Sequence, residues 1–366
     1  MDQIRRLLLI FTFFFLLGSV PCLAFECHVL DVGQGQSVLI EADGHYMLID
    51  GGGRDASSFV VSYLRGIEKL DCIAVTHYDE DHYAGIIGVL KTMTCDLLIV
   101  PSYAGEGDLY ESLAAGALSN GCTIIHGKSG MEFEVGGADV EIIGPTRLDY
   151  PSENDKSLCF RVGYGENHYL ICGDAEQEAE LDMVKSVTEM FSDVYVVNHH
   201  GSFTSSMDTF LDAVNPEYAV ISCGKGNAYG HPSMETLQRL QNHGVDIYRT
   251  DEQGTIIAHS DGYDIWFDHV ASDDWVNRSM PVGEKLEVEQ QEKETQEYTY
   301  VCNTNSKKFH YPDCKSVNQM KEENRLFTSF SRAELLAEGY EPCGSLKSVK
   351  NMRKGLNYEN DFPDLP

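Results

Sequence analysis

Positive charge is scarce in this sequence: 27 lysines and arginines face 58 aspartates and glutamates, leaving a formal net charge of −31 over 366 residues. The field of such a chain repels polyanions, which excludes a protein that grips nucleic acid through a broad basic surface. A nuclease is not excluded, because a pair of divalent cations reverses the sign of the field where the chemistry happens. Also missing is any Gly-x-Ser-x-Gly elbow, so no serine nucleophile is poised on a strand-to-helix turn. Beyond the first two dozen residues, no apolar run reaches the roughly 20 residues that a bilayer crossing takes.

Those first residues have an order of their own. Arg5 and Arg6 precede the apolar run Leu7 to Leu17, which meets Gly18, Ser19, Pro21 and Ala24. This reads as an export signal, residues 1–24, cleaved near Ala24, with retention as a membrane anchor the alternative. After cleavage no integral membrane domain is expected, and the protein is placed outside the cell. Eleven cysteines in an exported chain would ordinarily mean a disulfide framework. Cys72, Cys159, Cys172 and Cys223, however, each sit inside an apolar, strand-like run and read as buried thiols.

From Glu26 to about Asp268, short β-rich runs alternate with helical patterns, the signature of a mixed α/β domain over residues 25–270. Strands are expected at Cys27 to Val32, Ser37 to Glu41, Tyr46 to Ile49, Cys72 to Thr76, Leu97 to Val100, Val140 to Ile143, Cys159 to Val162, Tyr169 to Cys172, Val194 to Val197 and Ala219 to Ser222. Helical periodicity is clearest in Gly85 to Thr92, Leu109 to Leu118, Glu176 to Thr188 and Ser233 to His243, with Pro232 placed for a first helical turn. A linker rich in Glu, Gln and Lys is expected over 271–298, a small second module over 299–346, and a disordered tail over 347–366.

The strongest chemical signal follows the apolar strand Cys72 to Thr76. His77, Asp79, Asp81 and His82 fall within six residues, in Thr76-His77-Tyr78-Asp79-Glu80-Asp81-His82. Imidazole nitrogen and carboxylate oxygen are ligands for zinc, manganese or iron, and a tight loop at a strand end can aim them at two adjacent ions. The bland reading, a solvated acidic loop, fits poorly with the apolar strand before it and Gly85 after it.

At this point the sequence resembles the metallo-β-lactamase superfamily, and more closely the extracellular hydrolase domain of the ComEC-type competence proteins. The resemblance runs through His28-Val29-Leu30-Asp31-Val32-Gly33-Gln34-Gly35, Leu48-Ile49-Asp50-Gly51-Gly52, the Thr76 to His82 loop, Gly173-Asp174-Ala175-Glu176, His199-His200-Gly201-Ser202 and Asn227-Ala228-Tyr229-Gly230-His231-Pro232. It implies a four-layer αββα sandwich with metals at one edge, followed here by a small α+β module.

Carried over position by position, the resemblance implies that His77 and Asp79 serve one divalent metal, that Asp81 and His82 serve another, and that Asp174 bridges them. One or two ions are expected, zinc or manganese, with the additional carboxylate Asp79 favouring the harder manganese or magnesium. The superfamily's intermediate histidine has no counterpart; Asn154, Asp155 and Ser157 occupy that stretch. His199 or His200 is expected either to ligate metal or to protonate a leaving oxygen, so that Asp81, His199 and His200 are the catalytic candidates. His231 is a further ligand candidate, and Ser202, Ser205, Asn227 and Tyr229 are candidates for substrate contact. The glycines around Gln34 read as tight turns beneath the site, and Gln36 stands where the family commonly has an acid.

The second module resembles the small metal-binding domain of the Ada repair protein, through Phe309-His310-Tyr311-Pro312-Asp313-Cys314 and Gly339-Tyr340-Glu341-Pro342-Cys343-Gly344. It implies a second metal site at His310, Cys314 and Cys343, with Leu346 where the fourth ligand belongs, and Lys307, Lys308, Lys315 and Lys321 as a nucleic-acid tether.

The expected function is metal-assisted hydrolysis of a phosphodiester in DNA by an activated water, in an exported protein with DNA as substrate and a DNA-uptake or cell-surface partner. Two alternatives remain open. One keeps the site and changes the substrate to a lactam, a lactone or another ester. The other is a binding protein with a degenerate site.

Overall fold

The computed structural model describes residues 25–273 and, beyond them, 300–310, 314, 316–317, 319–328, 335 and 338–343. Residues 1–24, expected to be an export signal, nearly all of the expected linker and the expected tail lie outside the described residues. The chain divides into two units, Met1–Ser279 and Met280–Pro366.

The first unit contains two sheets. Strands β1 (Phe25–Val29), β2 (Val38–Ala42), β3 (His45–Ile49), β4 (Lys69–Ala74), β5 (Thr94–Val100) and β6 (Thr123–His126) form the first, joined at its other edge by β14 (Ile256–Ser260) and β15 (Ile265–Phe267). The second consists of β7 (Met131–Val135), β8 (Ala138–Gly144), β9 (Cys159–Tyr164), β10 (Asn167–Ile171), β11 (Val194–Val196), β12 (Tyr218–Ile221) and β13 (Asp246–Arg249). The strand orders are β15-β14-β1-β2-β3-β4-β5-β6 and β13-β12-β11-β10-β9-β8-β7.

Side chains alternate across each strand, so a strand covered on both faces must be apolar on both. In β3 and β4, Met47, Ile49, Cys72 and Ala74 enter the core between the sheets, where they meet Tyr169 and Ile171 of β10. Their neighbours Leu48 and Ile73 turn the other way, toward α1 (Ser57–Tyr63), α2 (Glu80–Tyr83), α3 (Ile86–Thr92) and α4 (Gly107–Asn120). On the far side of the second sheet, Leu170 and Tyr195 pack with residues of α5 (Gln177–Ser186), α6 (Asp208–Val214) and α7 (Met234–Asn242). The result is the αββα sandwich. Cys72, Cys159, Cys172 and Cys223 are buried free thiols, and burial pushes the thiols of Cys72, Cys172 and Cys223 well above their ordinary range. Among the described residues no helix is long and apolar enough to cross a membrane.

Sequence periodicity located every expected strand and helix to within a few residues. The elements it did not announce, such as β6, β7, β15 and α1, are short or half exposed, and their apolar signal is correspondingly weak. Pro232 is not in a first helical turn. Ser233 is the N-cap of α7, its hydroxyl accepting from the Thr236 N–H at 3.1 Å, and Pro232 lies one residue outside.

Two glycines show how closely the layers approach. A Cβ on Gly85 would overlap the Gly51 carbonyl oxygen, whereas one on Gly116, inside α4, would meet Leu90 at an ordinary 3.5 Å. Gly85→Ala should therefore cost roughly 1–3 kcal/mol of unfolding free energy by overpacking, and Gly116→Ala should add roughly 0.5–1 kcal/mol by removing helix entropy, both read from urea midpoints.

Candidate metal centre

In the first sheet β3 to β6 run parallel, and in the second β10 to β13 do. Loops at the carboxyl ends of parallel strands converge at one rim, the usual place for a site in such sheets. Asp50 follows β3, the Thr76 to His82 loop follows β4, Gly173-Asp174 follows β10, and Asn198 to Gly201 follow β11.

The Asp174 carboxylate is the centre, almost wholly buried. Its Oδ1 lies 3.0 Å from His82 Nε2 and 3.6 Å from His200 Nε2. Its Oδ2 lies 3.8 Å from His77 Nε2 and 3.5 Å from His199 Nε2. Asp79 stands on the Oδ2 side, 3.6 Å from His77 Nε2, and Asp81 on the Oδ1 side, 3.4 Å from His200 Nε2.

All four imidazoles are anchored by the other ring nitrogen. His82 Nδ1 faces Asp50 Oδ2 at 2.8 Å, His77 Nδ1 faces Thr76 Oγ1 at 3.1 Å, His200 Nδ1 faces the Ser222 carbonyl at 2.9 Å, and His199 Nδ1 faces Glu176 Oε1 at 3.3 Å. A proton on each Nδ1 satisfies these partners and leaves each Nε2 with a lone pair turned inward, the arrangement of metal-ligating histidine. Two of the inward atoms, His77 Nε2 and Asp174 Oδ1, are buried without a hydrogen-bond partner. Buried polar atoms are rarely left so, and a cation resolves both at once. The donor set fits a divalent metal.

Electrostatics agree. Burial alone would raise Asp174, but the surrounding His82, His200 and His77 hold it well below the carboxylate range. Burial also opposes ionisation of Asp81, and the neighbouring His200 and His82 rings bring it down to about 2.

Asp50, not singled out from sequence, is fully buried and organises the metal loop. It accepts from the Thr76 N–H and hydroxyl, at 2.8 and 2.7 Å, from His82, and from the Gln36 amide at 3.0 Å. Gln36 therefore supports a ligand's partner. The glycine turn beneath grips the same loop: the Gln36 N–H donates to the Asp81 carbonyl at 3.1 Å, and a Cβ on Gly35, with φ +139°, would overlap that carbonyl oxygen. Asp50 ends the apolar strand Tyr46 to Ile49 ahead of Gly51 and Gly52, inside one of the motifs that carry the resemblance, and that position is the signal that could have found it.

Several candidates stand elsewhere. Ser205 is fully buried and its hydroxyl donates to the Asn198 carbonyl at 2.9 Å, while Ser202, also buried, bonds Thr204 Oγ1 at 2.9 Å. Both hydroxyls are committed to hydrogen bonds within their own loop. Asn227 likewise closes its turn, donating to the Gly224 carbonyl at 2.9 Å and accepting from the His231 N–H at 3.1 Å. Tyr229 is 72% exposed. His231 is outside the tight ligand groups; its ring lies 5.5 Å from that of His199, 6.2 Å from that of His200 and 5.8 Å from that of Tyr229. Asp155, in the stretch lacking a histidine, accepts from the Glu176 and Ala179 N–H groups at 3.0 and 3.1 Å and so caps α5.

The second unit has a sheet of β16 (Tyr300–Asn303), β17 (Lys308–His310), β18 (Arg325–Thr328) and β19 (Glu341–Pro342), ordered β18-β16-β17-β19. His310, Cys314 and Cys343 offer ligand atoms within 4.8 Å of one another, and His310 Nδ1 is buried without a partner. Cys302 is buried in the core beside Phe309. Lys307 lies over the Tyr340 ring at 4.5 Å. Lys315 and Leu346 lie outside the described residues.

A sandwich of this topology with histidines and carboxylates at the strand ends defines a metal-dependent hydrolase fold. A family model for the metallo-beta-lactamase superfamily matches residues 30–225, more than half of the chain, and the chain belongs to that superfamily. Within it the chain is similar to ComE operon protein 3 of Bacillus subtilis, 31% identical over 267 residues that cover 67% of this chain and 34% of that protein. It is likewise similar to Competence protein ComA of Neisseria gonorrhoeae, 34% identical over 232 residues covering 62% of this chain and 31% of that one. The chain thus spans about a third of the length of these relatives. Among solved structures it is similar to the metallo-beta-lactamase fold protein YhfI from Bacillus subtilis, with a TM-score of 0.44 and 12% identity over 66% of this chain and 99% of that one.

The histidine loop also rests on Glu180, which is fully buried, accepts from Asn198 Nδ2 and the Met207 N–H, each at 2.9 Å, and from the Ser206 N–H. Burial raises this carboxyl to about 7 against an ordinary 4.5, despite those hydrogen bonds. A raised acid contributes fully below its unfolded pKa and loses its contribution as pH climbs through the folded value. Stability relative to Glu180→Gln should fall by about 3 kcal/mol from pH 4.5 to 7, as read from denaturant midpoints across that range.

Proposed function

We propose that this protein is an exported phosphodiesterase that cleaves DNA. The observation that carries the reading is the ring of four imidazoles with inward Nε2 atoms around the two oxygens of Asp174. His77, Asp79 and His199 would hold one divalent ion and Asp81, His82 and His200 another, with Asp174 shared between them. His199 thereby fills the place left by the missing intermediate histidine. The three carboxylates among these ligands favour manganese, and the four imidazoles suit zinc. When bound, such ions would supply a reactive water near neutral pH and positive charge for the phosphoryl group.

The chain's own residues orient the substrate. Burial and the charges of His200 and His199 lower His231 to about 4, so at neutral pH its imidazole is uncharged and contacts the substrate without repelling the ions. Beyond it the exposed Tyr229 ring, stacked on His231 at an interplanar angle of 25°, offers a face to a nucleobase. Stacking is an attraction that an acidic protein can offer a polyanion without basic residues. Similarity to competence proteins supports DNA as substrate and an uptake or cell-surface partner, and the order of residues 1–24 supports export. In the second unit, His310, Cys314 and Cys343 hold a zinc-type ion, since thiolate and imidazole are its preferred ligands.

Linear DNA incubated with the protein and Mn²⁺ should be cut, EDTA should abolish cutting, and Asp81→Asn should lower kcat at least about 100-fold while the protein remains folded. Hydrolysis of a small phosphodiester with DNA left intact would move the substrate away from nucleic acid; bound metal without hydrolysis of either would sink the phosphodiesterase reading. Asp50→Asn, which loosens the partner of His82, should weaken metal binding about 10–100-fold in a competition titration. Tyr229→Ala should raise KM for a single-stranded oligonucleotide about tenfold, the equivalent of losing one stacked base, with kcat little changed.

A further inference from the structure

The outer face of the first sheet carries a polar row that the metal centre does not use. The strand register makes Tyr46 on β3, Glu41 on β2, Glu26 on β1, His259 on β14 and Trp266 on β15 successive cross-strand partners. Two carboxylates thus stand directly opposite one another, a pairing that destabilises a sheet unless its charge is balanced. Among the described residues neither has a lysine or arginine ion partner: Glu26 meets His28 and His259, and Glu41 accepts from the Tyr46 hydroxyl. His259 is shared, its other nitrogen lying 3.1 Å from Asp268.

His28 lies on the same face, two residues along β1 from Glu26. It is 7% exposed. Its Nδ1 is 2.7 Å from the Tyr63 hydroxyl oxygen. Its Nε2 lies 2.9 Å from Glu26 Oε2, off the line a hydrogen bond requires, and is a buried nitrogen without a hydrogen-bond partner. One ring nitrogen of His28 and one carboxylate oxygen from each of Glu26 and Glu41 lie within 4.8 Å of one another.

We propose that Glu26, His28 and Glu41 form a further divalent-cation site, of the zinc or manganese class, on the outer face of the first sheet. One imidazole and two carboxylates match that class. With the proton on Nδ1 and donated to Tyr63, His28 presents the Nε2 lone pair to the ion, and His259 holds the other oxygen of Glu26 at 3.0 Å. The ion ties β1 to β2 and removes the repulsion between the facing acids.

The test is metal content per chain after equilibrium dialysis of the full-length protein against Mn²⁺ or Zn²⁺, comparing the wild type with Glu26→Gln/Glu41→Gln. Ions elsewhere are common to both proteins, so the difference reads this site alone and does not depend on whether the protein hydrolyses anything. The double variant should retain one ion fewer per chain, and in metal-free buffer it should resist urea at least as well as the wild type because the repulsion is gone. Equal metal content in the two proteins overturns the proposal. Wild-type crystals soaked in Mn²⁺ give a check that needs no variant: an anomalous peak among Glu26, His28 and Glu41 supports the site, and its absence overturns it.

Discussion

Asp50 is sealed from water at the end of β3, and the placement of the metal loop depends on how its charge is satisfied. Four donors reach it from three residues on two segments: Gln36, the Thr76 N–H and hydroxyl, and His82. An ion in a low-dielectric interior is tolerated only with such company, and removing part of it leaves an uncompensated charge worth several kcal/mol. The same contacts that satisfy Asp50 fix the tautomer of His82 and hold the start of the loop carrying His77, Asp79 and Asp81. The ligands' geometry therefore follows from a buried-charge requirement in the sheet beneath them.

The opposite wall is held by a different device. His199 and His200 both have left-handed backbone, with φ of 50° and 55°, an arrangement costing on the order of 1–3 kcal/mol per residue. It is what aims two consecutive imidazoles at the same carboxylate, one from each side. Offsetting contacts surround it: the His199 N–H donates to the Gly173 carbonyl at 3.0 Å, Ser205 braces Asn198, and Glu180 gathers Asn198, Ser206 and Met207. The serines that follow the histidines belong to this scaffold. A run of hydroxyls beside a metal site looks like a phosphate cradle in sequence, yet here the backbone strain beside it has the prior claim on those hydrogen bonds.

A net charge of −31 and a DNA substrate are compatible only if attraction is local. Around Asp174 unsatisfied atoms face inward among the imidazoles, and the exposed Tyr229 ring stacked on His231 is where we propose that a base is attracted without charge. Long-range repulsion slows encounter with a polyanion, and short-range ions and stacking decide whether it is held.

How much of this was legible beforehand depends on distance along the chain. The Thr76 to His82 loop could be read directly, since its ligands are contiguous and follow a strand whose apolar pattern is unambiguous. Asp174 was legible by its place in a succession of motifs. The anchors were not: Ser222 for His200, Glu176 for His199 and Asp50 for His82 are brought in by folding from up to 32 residues away. Asp155 shows the converse, a carboxylate in a ligand-bearing stretch that the fold uses to cap α5. The chain by itself determined the layers, through alternation in strands and periodicity in helices, and most of the candidate ligand types, because those are local patterns. Only the tertiary structure decided which nitrogen of each histidine turns inward, which hydroxyls are committed to the loop, and that Glu26 and Glu41 stand opposite each other, because direction and register are set by contacts between segments that no local pattern encodes.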